Sequence, residues 1–261
     1  TKIHNILCFV LTPGTSHCIL GRTSVYGEGW CTMRIGGLRQ LSLLDFPGYV
    51  ACTVFLTGCN LRCPYCHNPS LVLPADAPDA LSEDALLSFL HTRRSKLDGV
   101  CISGGEPTLH RELPQLLRRI RGLGFRTKLD TNGTNPAMLD ALVREGLLDY
   151  VAMDIKNSPA LYPRTCGGID LLSPVQESAA LLLQGTVDYE FRTTVCAPLH
   201  TPEAMVEIGQ WLQGAKRYFL QPFVDPGALL GTGVAPLTDE AISALRDSVL
   251  PYIPATEIRG Q

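Results

Sequence analysis

No apolar run in this sequence of 261 residues approaches the roughly 20 residues that a helix needs to span a bilayer. A basic excess is missing too, because 22 Lys and Arg residues stand against 25 Asp and Glu residues. We therefore expect neither a membrane protein nor a general nucleic-acid-binding protein, which would normally be basic. With 18% charged and 45% hydrophobic residues, a disordered chain is not expected either. What remains is a soluble globular protein, expected in the cytoplasm.

The ten cysteines are the first unusual feature of the sequence. A disulfide framework is typical of short secreted chains, and this chain is not short. Cys59, Cys63 and Cys66 form a tight C-x3-C-x2-C group, whereas the other cysteines are scattered singly. A reducing compartment and one metal-binding cluster explain this distribution best.

Residues 1–32 differ from the rest of the sequence. The stretch 12–32 is rich in Gly, Ser and Thr and shows no clear periodicity, and we interpret 1–32 as an N-terminal extension of doubtful order. Met33 is the expected natural start, and the alternative is a short strand or hairpin packed on the main domain. Residues 33–261 are expected to form one domain, because no linker or internal repeat divides them.

From residue 50 onward, strand-like and helix-like segments alternate with short connections. The expected strands are 50–57, 99–103, 125–130, 149–155, 189–195 and 218–221. The expected helices are 81–94, 113–123, 136–145, 173–184, 202–212 and 239–250. Six such units predict an α/β fold with a parallel sheet, but they fall short of the eight in a closed barrel. A partial (β/α)6 barrel is the leading architecture, and a doubly wound open sheet is the alternative, since periodicity does not reveal strand order.

Polar and metal-binding residues follow four of these strands. In parallel α/β folds, the chemistry lies at the carboxyl ends of the strands. The segments at these ends are Gly58–Asn68, Ser103–Pro107, Lys128–Gly133 and Asp154–Lys156. We expect them to surround one mouth of the barrel.

The three clustered cysteines can coordinate three irons of a [4Fe–4S] cube, because thiolate is the usual protein ligand of such clusters. The fourth iron would lack a protein ligand and could bind a substrate, much as the open position does in catalytic zinc sites. The alternative is a structural zinc site with His67 as the fourth ligand. The direct succession of Cys66 and His67 disfavours it, since paired structural ligands usually lie farther apart in sequence.

This cysteine group after one strand, followed by Gly104-Gly105-Glu106-Pro107 after the next, resembles the radical S-adenosylmethionine superfamily. On its own, the tetrapeptide would also fit an ordinary strand-to-helix turn. The resemblance covers most of residues 36–223. Within the superfamily, the sequence is similar to the glycyl-radical-enzyme activases. It most closely resembles those of anaerobic ribonucleoside-triphosphate reductase, and pyruvate formate-lyase activating enzyme is a near relative.

The resemblance implies a partial barrel of the radical S-adenosylmethionine type that holds a [4Fe–4S] cluster and S-adenosylmethionine. The implied cluster ligands are Cys59, Cys63 and Cys66. Tyr65 would lie against the adenine, and Lys156 would balance the charge of the substrate carboxylate. The other implied contacts to the cofactor are Gly104, Gly105 and Glu106 for the methionine amino group, with Lys128, Asp130, Asn132, Asp154 and Arg192 as further candidates.

A monovalent-cation site is implied as well. Asp130, Thr131 and Asp154, with the Ala152 carbonyl, resemble such a site in the formate-lyase activases, and oxygen donors suit a hard cation. For Lys128 and Arg192, a salt bridge at the barrel rim is an equal alternative to ligand contact.

The implied activity is reductive cleavage of S-adenosylmethionine, followed by hydrogen abstraction from a glycine of a partner enzyme. The expected partner is anaerobic ribonucleoside-triphosphate reductase, and the expected reductant is a flavodoxin or ferredoxin. One departure is Phe223-Val224, where some activases place a polar or His contact to the nucleoside. The alternatives are a formate-lyase-type activase, a radical enzyme acting on a small molecule, and a non-catalytic iron–sulfur or zinc protein.

Overall fold

The computed structural model describes residues 33–72, 81–225 and 227–259. The expectation for residues 1–32 lies outside these ranges. Within them, one sheet of eight strands is accompanied by helices, which confirms the α/β class. None of the helices in the described ranges is long and apolar enough to cross a membrane.

The strands lie in the sheet in the same order as along the chain. Their bounds are β1 (Ile35–Ser42), β2 (Ala51–Leu56), β3 (Gly99–Gly104), β4 (Arg126–Thr131), β5 (Tyr150–Asp154), β6 (Asp188–Val195), β7 (Tyr218–Pro222) and β8 (Thr256–Ile258). β1 is antiparallel to β2, and every later pair of neighbours is parallel. This sequential order confirms the partial barrel and excludes the doubly wound sheet, whose strand order reverses at a switch point.

The six predicted strands correspond to β2–β7, and two strands were missed. β1 contains Gly36, Gly37 and Arg39 and is largely half-buried or exposed, so it lacks the apolar run that marks a buried strand. β8 has only three residues, too few for a periodic signal. These two strands form the edges of the sheet, and in the described part of the chain they do not pair with each other.

The helices lie between the strands, as the alternation predicts. They are α1 (Pro69–Val72), α2 (Glu83–Arg93), α3 (Leu113–Gly122), α4 (Pro136–Arg144), α5 (Tyr162–Thr165), α6 (Leu172–Leu183), α7 (Pro202–Trp211) and α8 (Asp239–Val249). The six predicted helices correspond to α2–α4 and α6–α8, and the four-residue α1 and α5 were missed. In α3, the buried residues are Leu113, Leu116, Leu117 and Ile120, the spacing of one helical face. α7 begins where the Thr201 side chain accepts the Ala204 N–H, as expected of an N-cap.

The two faces of the sheet differ in polarity. Val100 and Leu129 belong to the hydrophobic core that also contains the buried leucines of the helices. The adjacent positions Cys101, Lys128 and Tyr150 are register partners across β3, β4 and β5 and therefore share the opposite face. Lys128 Nζ lies 3.8 Å from Cys101 Sγ and 5.9 Å from the centre of the Tyr150 ring. The inner face of the barrel thus carries charge, while the outer face packs on the helices.

At the carboxyl ends of β2 and β3 the two backbones are in direct contact. The N–H of Gly105 donates to Leu56 O at 2.8 Å, and the N–H of Glu106 donates to Gly58 O at 2.7 Å. A Cβ atom on Gly105 would lie 2.0 Å from Gly58 O, and Gly104 has φ +124°. Both glycines are therefore required by the fold itself.

We expect Gly105→Ala to lower the free energy of unfolding by about 1–3 kcal/mol, because the new methyl group overlaps backbone atoms that cannot rotate away. Gly122→Ala is the matched control, since a Cβ there meets no atom within 4 Å; it should be neutral or slightly stabilising. Denaturant unfolding followed by circular dichroism measures both. Equal stability of the two variants would contradict the close contact.

Candidate functional site

A cavity opens at the carboxyl ends of β2–β6 and encloses about 810 Å³ of non-atom space, open solvent at its mouth included. All four strand-end segments that were expected to meet contribute to its wall. The lining residues are Cys59, Leu61, Cys63, Tyr65, Cys66, His67, Asn68, Val72, Ser103, Gly104, Gly105, Asp130, Thr131, Asn132, Asp154, Lys156, Arg192, Thr194 and Leu230.

The three clustered cysteines share one loop that follows β2 and lies on the wall of this cavity. Cys63 is buried, and Cys59 and Cys66 are half-buried. The N–H of Leu61 donates to Cys59 Sγ at 3.4 Å, and the N–H of Asn68 donates to the Cys66 sulfur. Burial raises the pKa of Cys59 to about 12, so a metal ion bound by this thiol would have to displace its proton.

Arg62 and Cys166 hold the cysteine loop in place. The Arg62 guanidinium donates to the carbonyls of Cys59 and Leu61 at 2.7 and 2.8 Å. The Arg62 N–H donates to the Cys166 carbonyl at 3.2 Å. A hydrogen bond with the Cys166 side chain lowers the pKa of Cys63, against the opposing effect of burial.

His67 is exposed, and its Nε2 lies 3.0 Å from the Val224 carbonyl oxygen. Its ring centre is 5.4 Å from that of Phe223, so the Phe223-Val224 pair packs on the end of the cysteine loop. Throughout the described ranges, no three or more His, Cys, Asp or Glu side chains gather around a single metal position. Thiolates that each bind a different iron need not converge on one point, whereas the ligands of a structural zinc ion must.

The Glu106 carboxylate does not line the cavity; it is fully buried beneath it. Its Oε1 accepts the N–H and hydroxyl of Thr108, at 3.0 and 2.5 Å, and the Thr131 hydroxyl at 2.7 Å. Its Oε2 accepts the Asn132 N–H at 2.6 Å. Burial raises the pKa of Glu106, and these hydrogen bonds oppose the shift. The side chain therefore ties the turn after β3 to the loop after β4.

A second polar contact joins the loop after β4 to the cysteine loop. Asn132 Nδ2 donates to Asn60 Oδ1 at 3.0 Å, and Asn60 Nδ2 donates to the Thr134 hydroxyl at 2.7 Å. That hydroxyl donates in turn to Asn132 Oδ1 at 2.6 Å. Asn132 thus acts as a bridge between two walls of the cavity.

Five charged side chains, Lys128, Asp130, Asp154, Lys156 and Arg192, form an ion-pair cluster at the ends of β4, β5 and β6. Arg192 Nη2 lies 2.8 Å from Asp154 Oδ1, and Arg192 Nη1 lies 3.5 Å from Asp130 Oδ2. Lys156 Nζ donates to Asp154 Oδ2 at 3.0 Å, and Lys128 Nζ contacts Asp130 Oδ1.

Burial alone would raise the pKa of Asp130, but the charges of Arg192 and Lys128 lower it to about 2. The pKa of Asp154 is likewise lowered, by Arg192 and Lys156 against the effect of burial.

Tyr65 lies deep in the wall, with 3% of its surface exposed. Its hydroxyl is 3.5 Å from the Lys156 carbonyl oxygen, which also lies 3.0 Å from His200 Nε2. The rings of Tyr65 and His200 meet edge to face, with centres 6.1 Å apart. Two side chains from distant parts of the chain thus share one backbone acceptor below the cavity.

The structure brings most of the expected residues to the cavity and places two of them beneath it. Those on the lining are Cys59, Cys63, Cys66, Tyr65, Gly104, Gly105, Asp130, Thr131, Asn132, Asp154, Lys156 and Arg192, and those beneath it are Glu106 and Lys128. Sequence reasoning missed the supporting residues Asn60, Arg62, Cys166 and His200. Only Asn60 and Arg62 carried a signal, as polar residues within the cysteine motif.

We expect Glu106→Gln to lower the free energy of unfolding by about 1–3 kcal/mol. Each carboxylate oxygen accepts a backbone N–H, from Thr108 or Asn132, so the amide nitrogen of Gln must face one of these donors in either orientation. Thermal unfolding measures the loss, with Glu207→Gln on the exposed side of α7 as control. An E106Q protein as stable as the control would contradict the bridging role of Glu106.

Comparison with known proteins supplies the family. The Radical SAM superfamily profile matches residues 53–212. A Methanocaldococcus jannaschii protein, provisionally named a glycyl-radical enzyme activating enzyme, is 31% identical over 72% of this chain and 79% of its own length. The pyruvate formate-lyase-activating enzyme of Clostridium pasteurianum is 34% identical over 48% of this chain and 52% of its own length.

A solved structure supports the fold. The crystal structure of Streptococcus suis SuiB bound to S-adenosylmethionine has a TM-score of 0.62 and 15% identity, and the match covers 78% of this chain and 48% of SuiB. The chain thus spans about half the length of SuiB and of the Clostridium enzyme. Since the family profile covers more than half of its residues, this chain belongs to the Radical SAM superfamily.

Proposed function

We propose that this protein is a glycyl-radical-enzyme activating enzyme whose partner is an anaerobic ribonucleoside-triphosphate reductase. The observation that carries the proposal is the three-cysteine loop on the wall of a cavity built from the ends of parallel strands. The names of the Methanocaldococcus and Clostridium relatives support an assignment as an activating enzyme. The choice of reductase as partner rests on the sequence resemblance.

Cys59, Cys63 and Cys66 are proposed as ligands of a [4Fe–4S] cluster. The donor set fits, because all three line the cavity and backbone N–H groups donate to two of the sulfurs. Such hydrogen bonds adjust the reduction potential of a cluster. If bound, the cluster would supply an electron, and S-adenosylmethionine would supply the carbon–sulfur bond that this electron cleaves to generate the radical.

The remaining lining is suited to S-adenosylmethionine, which carries an ammonium and a carboxylate beside its adenine. Lys156 and Arg192 supply positive charge for the carboxylate. Gly104 and Gly105 bear no side chain, so a ligand ammonium could approach the backbone carbonyls at the end of β3. Tyr65 supplies an aromatic ring for the adenine. Asn132 and Glu106 are proposed to support these residues by fixing the loops that carry them.

The open side of the barrel suits a macromolecular substrate. Among the described strands, β1 and β8 do not pair, so a polypeptide loop could reach the inner face between them. Glycine is the natural target, because its α-carbon carries no side chain that would block hydrogen abstraction. We propose that the protein works in the cytoplasm, with a flavodoxin or ferredoxin as electron donor.

Replacement of Cys59, Cys63 or Cys66 by Ala should abolish cleavage of S-adenosylmethionine, because the cluster would lose one of three protein ligands. Iron and sulfide content after anaerobic reconstitution, and 5′-deoxyadenosine formed after reduction with dithionite, are the two measurements. Cys52→Ala is the control, since this thiol is buried in β2 away from the cavity. A fully active single variant of the three would refute the ligand assignment.

The partner can be identified by electron paramagnetic resonance. The reconstituted and reduced protein, mixed with S-adenosylmethionine and the catalytic subunit of an anaerobic ribonucleotide reductase, should give a glycine-type doublet that requires both proteins. Replacing the target glycine of the reductase by Ala should remove the doublet, since alanine has a hindered α-carbon.

Each other outcome points to a different function. A doublet with pyruvate formate-lyase in place of the reductase would keep the activase and change its partner. Formation of 5′-deoxyadenosine with neither doublet would favour a small-molecule radical enzyme. No cleavage by protein with a complete cluster would refute the proposal.

A further inference from the structure

The carboxylates of the expected monovalent-cation site already have partners in this protein. Asp130 Oδ1 contacts Lys128 Nζ, and Asp130 Oδ2 lies 3.5 Å from Arg192 Nη1. Asp154 Oδ1 lies 2.8 Å from Arg192 Nη2, and Asp154 Oδ2 lies 3.0 Å from Lys156 Nζ. Every carboxylate oxygen in the ion-pair cluster thus faces a positively charged nitrogen.

The third expected donor, Thr131, is engaged as well. Its hydroxyl donates to Glu106 Oε1 at 2.7 Å and accepts the Gly133 N–H at 3.1 Å. A metal ion would have to replace these contacts, which hold the loop after β4 against the turn after β3.

The charge balance also disfavours an added cation. The ion-pair cluster contains three cations and two carboxylates, and only 1% of the Lys128 side chain and 11% of the Arg192 side chain are exposed. A metal ion would add to the positive excess in a poorly solvated site, where unbalanced charge is strongly unfavourable. The residues present therefore do not fit the monovalent-cation site that the resemblance implied.

Lys128 differs from the other two cations of the cluster. Arg192 and Lys156 line the cavity and can face a ligand, whereas Lys128 does not line it. Its Nζ reaches Asp130 from beneath, 3.8 Å from Cys101 Sγ and 5.9 Å from the Tyr150 ring centre. Lys128 can influence the site through its ion pair with Asp130, whose negative charge it neutralises.

We propose that the Lys128 ammonium takes the place of a monovalent metal ion, so that binding of S-adenosylmethionine is independent of sodium and potassium. Lys128 is a positioning residue, since it acts through Asp130. The inference rests on the S-adenosylmethionine site proposed above. It goes beyond that site because it assigns the positive charge of a bound metal ion to a side chain of this protein.

The test uses the anaerobically reconstituted protein in potassium chloride and in choline chloride of equal ionic strength. Choline is too large to enter the cluster. Two measurements are made in each salt: the Kd for S-adenosylmethionine and the midpoint of thermal unfolding. For the wild type, both should be the same in the two salts.

Two variants distinguish the effect of the Lys128 charge from the effect of the volume that its side chain fills. Lys128→Ala removes the ammonium and opens room for an ion, whereas Lys128→Met removes the ammonium and fills the room. In choline chloride, we expect both to bind S-adenosylmethionine about tenfold more weakly. Potassium should restore binding and raise the unfolding midpoint for K128A but not for K128M. Lys96→Ala, at an exposed lysine after α2, should behave as the wild type.

A wild type that needs potassium for tight binding or full stability would overturn the inference, even if neither variant folds. Weak binding by K128A that potassium does not restore would also overturn it, since the role of the lysine would then not be that of a replaceable cation. If the wild type fails to bind S-adenosylmethionine in either salt, the proposed function fails. The unfolding midpoints of wild type and K128A in the two salts still test the inference in that case.

Discussion

The cavity depends on the contact between the backbones of the cysteine loop and the turn after β3. Gly105 allows the approach, and the Glu106 N–H donates to Gly58 O at 2.7 Å. The Glu106 carboxylate then accepts the Asn132 N–H, and Asn132 returns to the cysteine loop by donating to Asn60. These bonds form a closed ring through three consecutive strand ends. Each bond in the ring fixes a loop rather than a strand, so loss of the glycine contact would open the ring and leave its three loops joined only by the Glu106–Asn132 and Asn132–Asn60 bonds.

The ion-pair cluster fixes the other half of the wall by a different interaction. Its charges lie at the ends of β4, β5 and β6, where parallel neighbours place Asp130, Asp154 and Arg192 near one another. Buried ion pairs stabilise a fold weakly, because desolvation offsets most of the attraction. They do hold charged groups in one arrangement before a ligand arrives, and such preorganisation strengthens electrostatic effects in an active site. The unfavourable free energy of desolvating these charges is thus part of folding rather than of ligand binding.

The sequence was sufficient to predict β2–β7 and the six longer helices, α2–α4 and α6–α8, since their apolar periodicity is local. It did not predict the four-residue helices α1 and α5. It was insufficient for β1, whose glycines and exposed residues weaken the pattern, and for the three-residue β8. The meeting of the four strand-end segments at the cavity was predictable because parallel strands bring their carboxyl ends together, whereas the individual site residues were implied by the family resemblance. The burial of Glu106 was not, because it depends on Thr131 and Asn132, which approach only after β3 and β4 pair. The contact of Cys166 with the cysteine loop was not predictable either, because the two segments are far apart in sequence.

Lys156 connects the two halves of the wall. Its ammonium pairs with Asp154 in the ion-pair cluster, while its carbonyl oxygen lies within 3.5 Å of the Tyr65 hydroxyl and 3.0 Å of His200 Nε2. The Lys156 charge also lowers the pKa of all three clustered cysteines, against the larger effect of burial at Cys59 and Cys66. A positive charge near three thiols favours the thiolate that a metal requires. Since Asp154 pairs with that ammonium and also with Arg192 of β6, the electrostatics of the cysteine loop depend on residues of β5 and β6. The cysteine motif is therefore an incomplete description of the proposed metal site. The acidity of its thiols is set partly by a lysine at least ninety residues away in sequence, about the span of three β/α units of this barrel.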